Sequence, residues 1–170
     1  MGPVRYFKPE QLKKMTTSRR QEFSGLFRKL GKRKPKKLDE LVHRLHEEAF
    51  NQFDCLGCAN CCSSISPIVT VKDAERLARG LKLKVPGFIS HYLYTDEEGD
   101  LVFKDTPCPF LLHDKYCCVY ENRPRACREY PHTDRARFYQ ILSLTLKNCE
   151  VCPVVYAITS ELSSSIDEVL

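Results

Sequence analysis

The sequence predicts a mainly helical α+β protein. Three observations predict it. Apolar residues recur at helical spacing through much of the chain. Short apolar runs around Gly and Asp turns leave room only for small β-hairpins. All ten cysteines lie in one stretch, from Cys55 to Cys152. The chain has 170 residues, of which 42% are apolar, enough to fill a core at a one-domain length.

The front of the chain reads as helical. Ser18-Arg19-Arg20-Gln21 has the pattern of a capping box, which predicts a helix start there. Phe23, Leu26, Phe27 and Leu30 follow on one face, and Gly31 is the expected stop. Lys32–Lys37 is a charged connector. A second helix carries Leu38, Leu41, Val42, Leu45, Ala49 and Phe53 on one face, with Asp39, Glu40, Arg44 and Glu47 facing away.

The cysteine-bearing part begins with Cys55-Leu56-Gly57-Cys58-Ala59-Asn60-Cys61-Cys62. Thr70 with Asp73 predicts a capped helix that ends at Gly80. A short helix is expected over 86–93. Strands at 91–95 and 101–104 flank the Glu98-Gly99-Asp100 turn. A second hairpin is expected from 110–112 and 116–120. Pro124 suits the first turn of a helix reaching Tyr130. Residues 134–148 mix two periods, and helix is the better fit. Pro153 starts a last helix with Val154, Val155, Ile158 and Leu162 apolar.

Charge divides the chain at the same place as the cysteines. Residues 1–50 hold 14 Lys and Arg against 6 Asp and Glu, whereas the remainder is net acidic. The expected organisation is therefore a basic helical N-terminal segment over 1–50 and a cysteine-cluster metal-binding domain over 51–170. The first residues have no apolar run after their charges, so no secretory signal is expected. Gly2 is not followed by Ser or Thr at position 6, so the myristoylation pattern fails. No apolar stretch has the length of a membrane span. The expected location is cytoplasmic, where thiols stay reduced.

The cysteines carry the chemistry. Cys-x2-Cys places two thiolates of one tight turn near a single ion. Cys55, Cys58 and Cys61 repeat that spacing, Cys62 adjoins, and Cys108, Cys117, Cys118, Cys127, Cys149 and Cys152 follow. Disulfides are the rival reading. Neighbouring Cα atoms lie about 3.8 Å apart, but a disulfide usually needs about 4.4–6.8 Å. Cys61 and Cys62 would pair with each other only under strain.

Supporting residues suit thiolates. Cys127 lies between Arg125 and Arg128 near a helix start, where a lowered thiol pKa is expected. Cys152 precedes Pro153 at a helix N-cap, where its sulfur could accept N–H bonds. Cys108 is held between Pro107 and Pro109.

The Cys-x2-Cys-x2-Cys run with a distant Cys-Pro resembles bacterial ferredoxin ligation. On that pattern Cys55, Cys58, Cys61 and Cys152 hold one cluster, and Cys62, Cys108, Cys117 and Cys127 form a second site. Two four-thiolate zinc sites divide the same ligands equally well.

The chain resembles the CxxCxxCC cysteine-cluster family, also called YkgJ-like, of zinc- or iron-chelating proteins. The residues that carry the likeness are Cys55–Cys62, Pro107-Cys108-Pro109-Phe110-Leu111, Cys117–Pro131 with its Glu121-Asn122-Arg123-Pro124-Arg125-Ala126-Cys127 core, and Cys152-Pro153. The segment 68–78, with Thr70, Asp73 and Ala74, is also family-like. The resemblance covers roughly 50–165. It implies that Cys118 and Cys149 are dispensable, leaving the same eight cysteines as metal ligands.

Other sites weigh less. His132 follows the Cys127 helix and is a candidate ligand, although such a residue is more often at the surface. His43 and His46 share a helix and are expected to be solvated. No P-loop, dinucleotide fingerprint or nucleophile elbow is present, and no catalytic residue is assigned. Lys32–Lys37 is compatible with nucleic acid, but runs of this kind more often form solvated connectors. The function expected is a metal-binding protein that chelates zinc or an iron–sulfur cluster through eight cysteines. The alternatives are an iron–sulfur electron-transfer protein, a metal-dependent enzyme and a nucleic-acid-binding module. The sequence names no protein partner.

Overall fold

The computed structural model describes residues 7–166. The expectation that the first residues carry no secretory signal falls partly on Met1–Tyr6, outside the described residues. The fold is mainly helical with one two-stranded antiparallel sheet, as the sequence predicts. The chain divides into two compact units, one of Met1–Asp54 with Pro131–Leu170, the other of Cys55–Tyr130. This division differs from the composition boundary at residue 50. The basic front helices share a unit with the C-terminal helix, because an apolar helix face does not specify which later helix will cover it. No single helix among the described residues is long and apolar enough to cross a membrane.

The discontinuous unit contains α1 (Pro9–Ser18), α2 (Arg20–Arg33), α3 (Leu38–Phe50), α9 (Leu142–Asn148) and α10 (Pro153–Ser164). Helices α4–α8 belong to the other unit. α10 is buried almost throughout, from Pro153 to Thr159, and packs on α1, α2, α3 and α9. A helix apolar on most sides requires such a surround. Tyr156 meets Phe23 edge-on, with ring centroids 5.7 Å apart. The Thr16 hydroxyl, itself buried, donates to the Cys149 carbonyl at 3.0 Å.

Local details of this unit depart from expectation. Ser18 ends α1 and does not cap α2; its hydroxyl donates to the Met15 carbonyl at 2.8 Å. Gly31 lies inside α2, which ends two residues later at Arg33 and is capped by Lys34 in the left-handed conformation, φ 45°. Pro35 follows, and proline disfavours a right-handed helical residue before it. Phe53 is half-buried and lies beyond the end of α3. Asp39 does not simply face solvent. Its carboxylate accepts the backbone N–H groups of Arg137 and Phe138, at 2.6 and 2.9 Å. It thereby caps a 3₁₀ turn over Phe138–Ile141 that leads into α9. The helix expected over 134–148 is thus a 3₁₀ turn followed by seven α-helical residues.

The contiguous unit holds α4 (Cys55–Cys58), α5 (Asn60–Ser64), α6 (Val71–Gly80), α7 (Val85–Tyr92), β1 (Leu93–Thr95), β2 (Leu101–Phe103) and α8 (Arg125–Glu129). β1 pairs with β2 antiparallel, with Leu93 opposite Phe103 and Thr95 opposite Leu101. The core is Val69, Ala74, Leu77, Ala78, Phe88, Leu93, Phe103, Phe110 and Val119. Each fully buried Phe here contributes about 1.5–3 kcal/mol by leaving water.

α6 matches its sequence signature. The Thr70 hydroxyl accepts from Asp73 N–H at 3.2 Å, and Asp73 accepts from Thr70 N–H at 3.1 Å, completing a capping box. It ends at Gly80, as the sequence suggests. Leu83 N–H donates to Ala78 and Lys82 N–H to Arg79, a Schellman motif with Lys82 at φ 57°.

Candidate metal centre

Backbone bonds knit the cysteine segments of the contiguous unit together. α4 and α5 are separated by Ala59, a buried residue at φ 49°. This left-handed residue breaks the cysteine run into two helical turns, with Cys55 and Cys58 on the first and Cys61 and Cys62 on the second. Cys108 N–H donates to the Cys62 carbonyl at 2.9 Å. Cys118 N–H donates to Phe110 at 2.9 Å, and Leu111 bridges to Cys117. The second expected hairpin therefore exists as a single bridge and turn rather than two strands. The side chains of Cys108 and Cys117 pack against the apolar core. Lys115 reaches back to the Gly57 carbonyl at 3.3 Å.

The fourth segment is the five-residue helix α8, which carries Cys127. α6 holds the strap that leads into it. Arg76 donates to the carbonyls of Asn122 and Arg123, at 3.3 and 2.8 Å. Asp73 accepts the N–H of Arg125 at 3.1 Å. Gly80 makes the approach possible, since a Cβ there would lie 2.7 Å from the Asn122 amide. Arg123 lies over the Tyr120 ring, 3.7 Å from its centroid.

Of the eight predicted ligands, Cys62, Cys108, Cys117 and Cys127 act on one another. Burial pushes the Cys127 thiol up to about 12, and the charges of Cys62, Cys108 and Cys117 push the same way. Burial also pushes Cys108 up to about 11, with Cys62, Cys117 and Cys118 adding to it. Cys117 is raised by burial, then by Cys62 and Cys118. Cys62 moves down to about 7, chiefly through its sulfur contact with Cys61 at 4.0 Å.

The expectation of a lowered pKa at Cys127 is therefore corrected. Arg125 is turned to solvent and paired with Glu129, so its charge is spent outside, while burial and the charges of Cys62, Cys108 and Cys117 raise the Cys127 thiol. A bound cation reverses the sense of such repulsion.

The remaining predicted ligands are placed as follows. Cys55 is exposed on α4, and Cys58 and Cys61 are half-buried. Cys152 lies in the discontinuous unit, buried at the N-cap of α10, and makes no capping hydrogen bond through its sulfur. Cys149 is wholly buried; its thiol donates to the Thr159 hydroxyl at 3.3 Å. No disulfide joins any of the ten cysteines.

Sulfurs that share a tetrahedral ion at about 2.3 Å stand roughly 3.8 Å apart. The 4.0 Å between Cys61 and Cys62 is close to that. Among the described residues no three cysteine sulfurs lie within 4.8 Å of one another; Asp96, Glu98 and Asp100 do, on the exposed hairpin turn. The softness of thiolates suits zinc or iron–sulfur, unlike the hard oxygens of the hairpin.

A family model matches residues 54–153, and its description reads "Putative zinc- or iron-chelating domain". The chain belongs to the CxxCxxCC family. The matched span begins one residue before Cys55 and ends one residue after Cys152, so it contains every cysteine of this CxxCxxCC protein. No solved structure matches the chain.

His43 and His46 make their contacts with the segment 133–135. His46 is not solvated as expected. It is half-buried, its Nδ1 lies 2.7 Å from the Thr133 hydroxyl, and burial lowers its pKa. His43 Nε2 lies 3.0 Å from the Arg135 carbonyl. His132 belongs to the discontinuous unit. The sequence reading missed Arg76 and Asn122 as supports of the Cys127 strap; the only signal was the unexplained polarity of a residue on the Asp73 side of α6.

Proposed function

We propose that this protein binds zinc or an iron–sulfur cluster through thiolates, and that the metal chiefly holds the cysteine-rich fold together. Cys62, Cys108, Cys117 and Cys127 form one four-thiolate site in this reading. Cys55, Cys58, Cys61 and Cys152 are the further ligands. What supports the reading is the backbone bond from Cys108 to Cys62, the packing of Cys108 and Cys117 on one core, and the electrostatic effect of Cys62, Cys108 and Cys117 on Cys127. Family membership supports zinc or iron as the metal. Four protein sulfurs leave no open coordination position, which favours a structural over a catalytic role. Binding energy at such a site becomes folding energy.

Anaerobic purification with elemental and acid-labile sulfide analysis tests this. Colourless protein with stoichiometric zinc identifies zinc sites. Brown protein with iron and sulfide identifies a cluster. Cys127→Ser is expected to lose about one site's worth of metal, and Cys118→Ser none. Protein that folds normally without either metal, or Cys127→Ser with full metal content, overturns the proposal.

A further inference from the structure

We infer that Asp73 is a positioning residue for metal capture, acting through the Cys127 strap. The inference rests on the four-thiolate reading above. Asp73 is only 1% exposed, and its carboxylate accepts four hydrogen bonds. The two oxygens divide the work. Oδ2 serves its own helix, accepting Thr70 N–H at 3.1 Å and the Thr70 hydroxyl at 2.6 Å. A capping box needs nothing more.

Oδ1 faces elsewhere. It accepts Arg76 Nη2 at 2.5 Å and the N–H of Arg125 at 3.1 Å, the latter from a residue 52 positions away. The same Arg76 nitrogen donates to the Arg123 carbonyl, and Nε donates to Asn122. One partly buried ion pair thus grips Asn122, Arg123 and Arg125, the residues that deliver Cys127.

α8 is too short to hold its own shape, since a single helical turn is unfavourable without tertiary support. Backbone bonds tie Cys62 to Cys108 and Cys117 to Leu111, whereas the strap that carries Cys127 is held to α6 by this clamp. Groups that orient ligands in this way typically change metal affinity 10–100-fold when removed.

Cobalt(II) titration of the full chain, made metal-free under reducing anaerobic conditions, tests the inference. The sulfur-to-cobalt charge-transfer band counts the thiolates, and chelator competition gives the affinity. Asp73→Asn turns one acceptor into a donor, and Arg76→Gln removes the grip on Asn122 and Arg123 while leaving the capping box. Both are expected to bind cobalt at least tenfold more weakly, with reduced charge-transfer intensity. Thr70→Ala weakens α6 but keeps the Oδ1 contacts, so its affinity is expected within about threefold of the parent.

Parental affinity in Arg76→Gln overturns the inference, as does equal loss in Thr70→Ala and Asp73→Asn. If Asp73→Asn does not fold, Arg76→Gln against Thr70→Ala decides. A parent chain that shows no cobalt–thiolate band refutes the four-thiolate reading itself, and this inference with it.

Discussion

Removal of one hydroxyl tests how α6 is held. Thr70→Ala deletes an Oγ1 that accepts from Asp73 N–H at 3.2 Å and donates to Asp73 Oδ2 at 2.6 Å. Loss of an N-cap costs about 1 kcal/mol. The bond to an ionised carboxylate adds about 1.5–3 kcal/mol where nothing replaces it. Thr70 is exposed, so water takes over part of that bond. The expected loss is about 2 kcal/mol at pH 7. Thr70→Ser keeps the hydroxyl and should stay within about 0.5 kcal/mol of the parent.

The pH dependence of this loss follows from Asp73. Burial pushes its carboxyl up, but the bonds from Thr70, Arg76 and Arg125 outweigh burial and leave it below the usual value. A depressed folded pKa contributes stability above the unfolded value of about 3.9, and loses it as pH falls through the folded value. The penalty of Thr70→Ala should therefore shrink in acid. Urea denaturation at several pH values, followed by far-UV circular dichroism, measures both effects. A penalty below about 0.5 kcal/mol at pH 7, or a Ser variant as damaged as the Ala variant, refutes the reasoning.

Three more predictions rest on other elements. Lys82→Gly replaces a left-handed residue in the Schellman motif after α6 and should raise stability by about 0.5–1 kcal/mol in the same denaturation assay. The Glu22 carboxyl is held down at about 2, first by its bond from Arg19 and then by Ser163, so its contribution should persist above about pH 4.5 and vanish as pH falls through 2. Both partners of that pair are solvent-accessible, so Glu22→Gln should cost no more than about 1 kcal/mol, and less in high salt. Cys149 is wholly buried and pushed up to about 12 by burial, which leaves roughly one thiolate in ten thousand at pH 8. Mass spectrometry after native alkylation should find Cys149 unmodified while exposed Cys118 is labelled.

Elements whose signals are local were legible in the sequence. Thr70 and Asp73 announce α6, the Glu98-Gly99-Asp100 turn announces the hairpin, and Pro153 announces α10, because each of these effects operates within a few residues. Long-range effects were not legible. Asp39 looks like a solvent-facing residue of α3, but its partners are the N–H groups of Arg137 and Phe138. Lys34 and Lys82 end helices in a conformation that usually falls to glycine, so no residue type marks either stop. The spacing of the cysteines identified thiolate chemistry. The charge state of Cys127 depends on burial and on neighbours from three other segments, and flanking arginines were a poor guide to it.

The way the chain is interleaved has a consequence for biosynthesis. The cysteine-rich unit is one uninterrupted stretch, whereas its neighbour needs both the residues before Cys55 and those after Tyr130. Translation at about 5–20 residues per second leaves the front helices waiting seconds for α10 to cover them. Nascent chains will thus present the eight thiols from Cys55 to Cys127 while the helical unit is still missing its central member, and Cys152 with it.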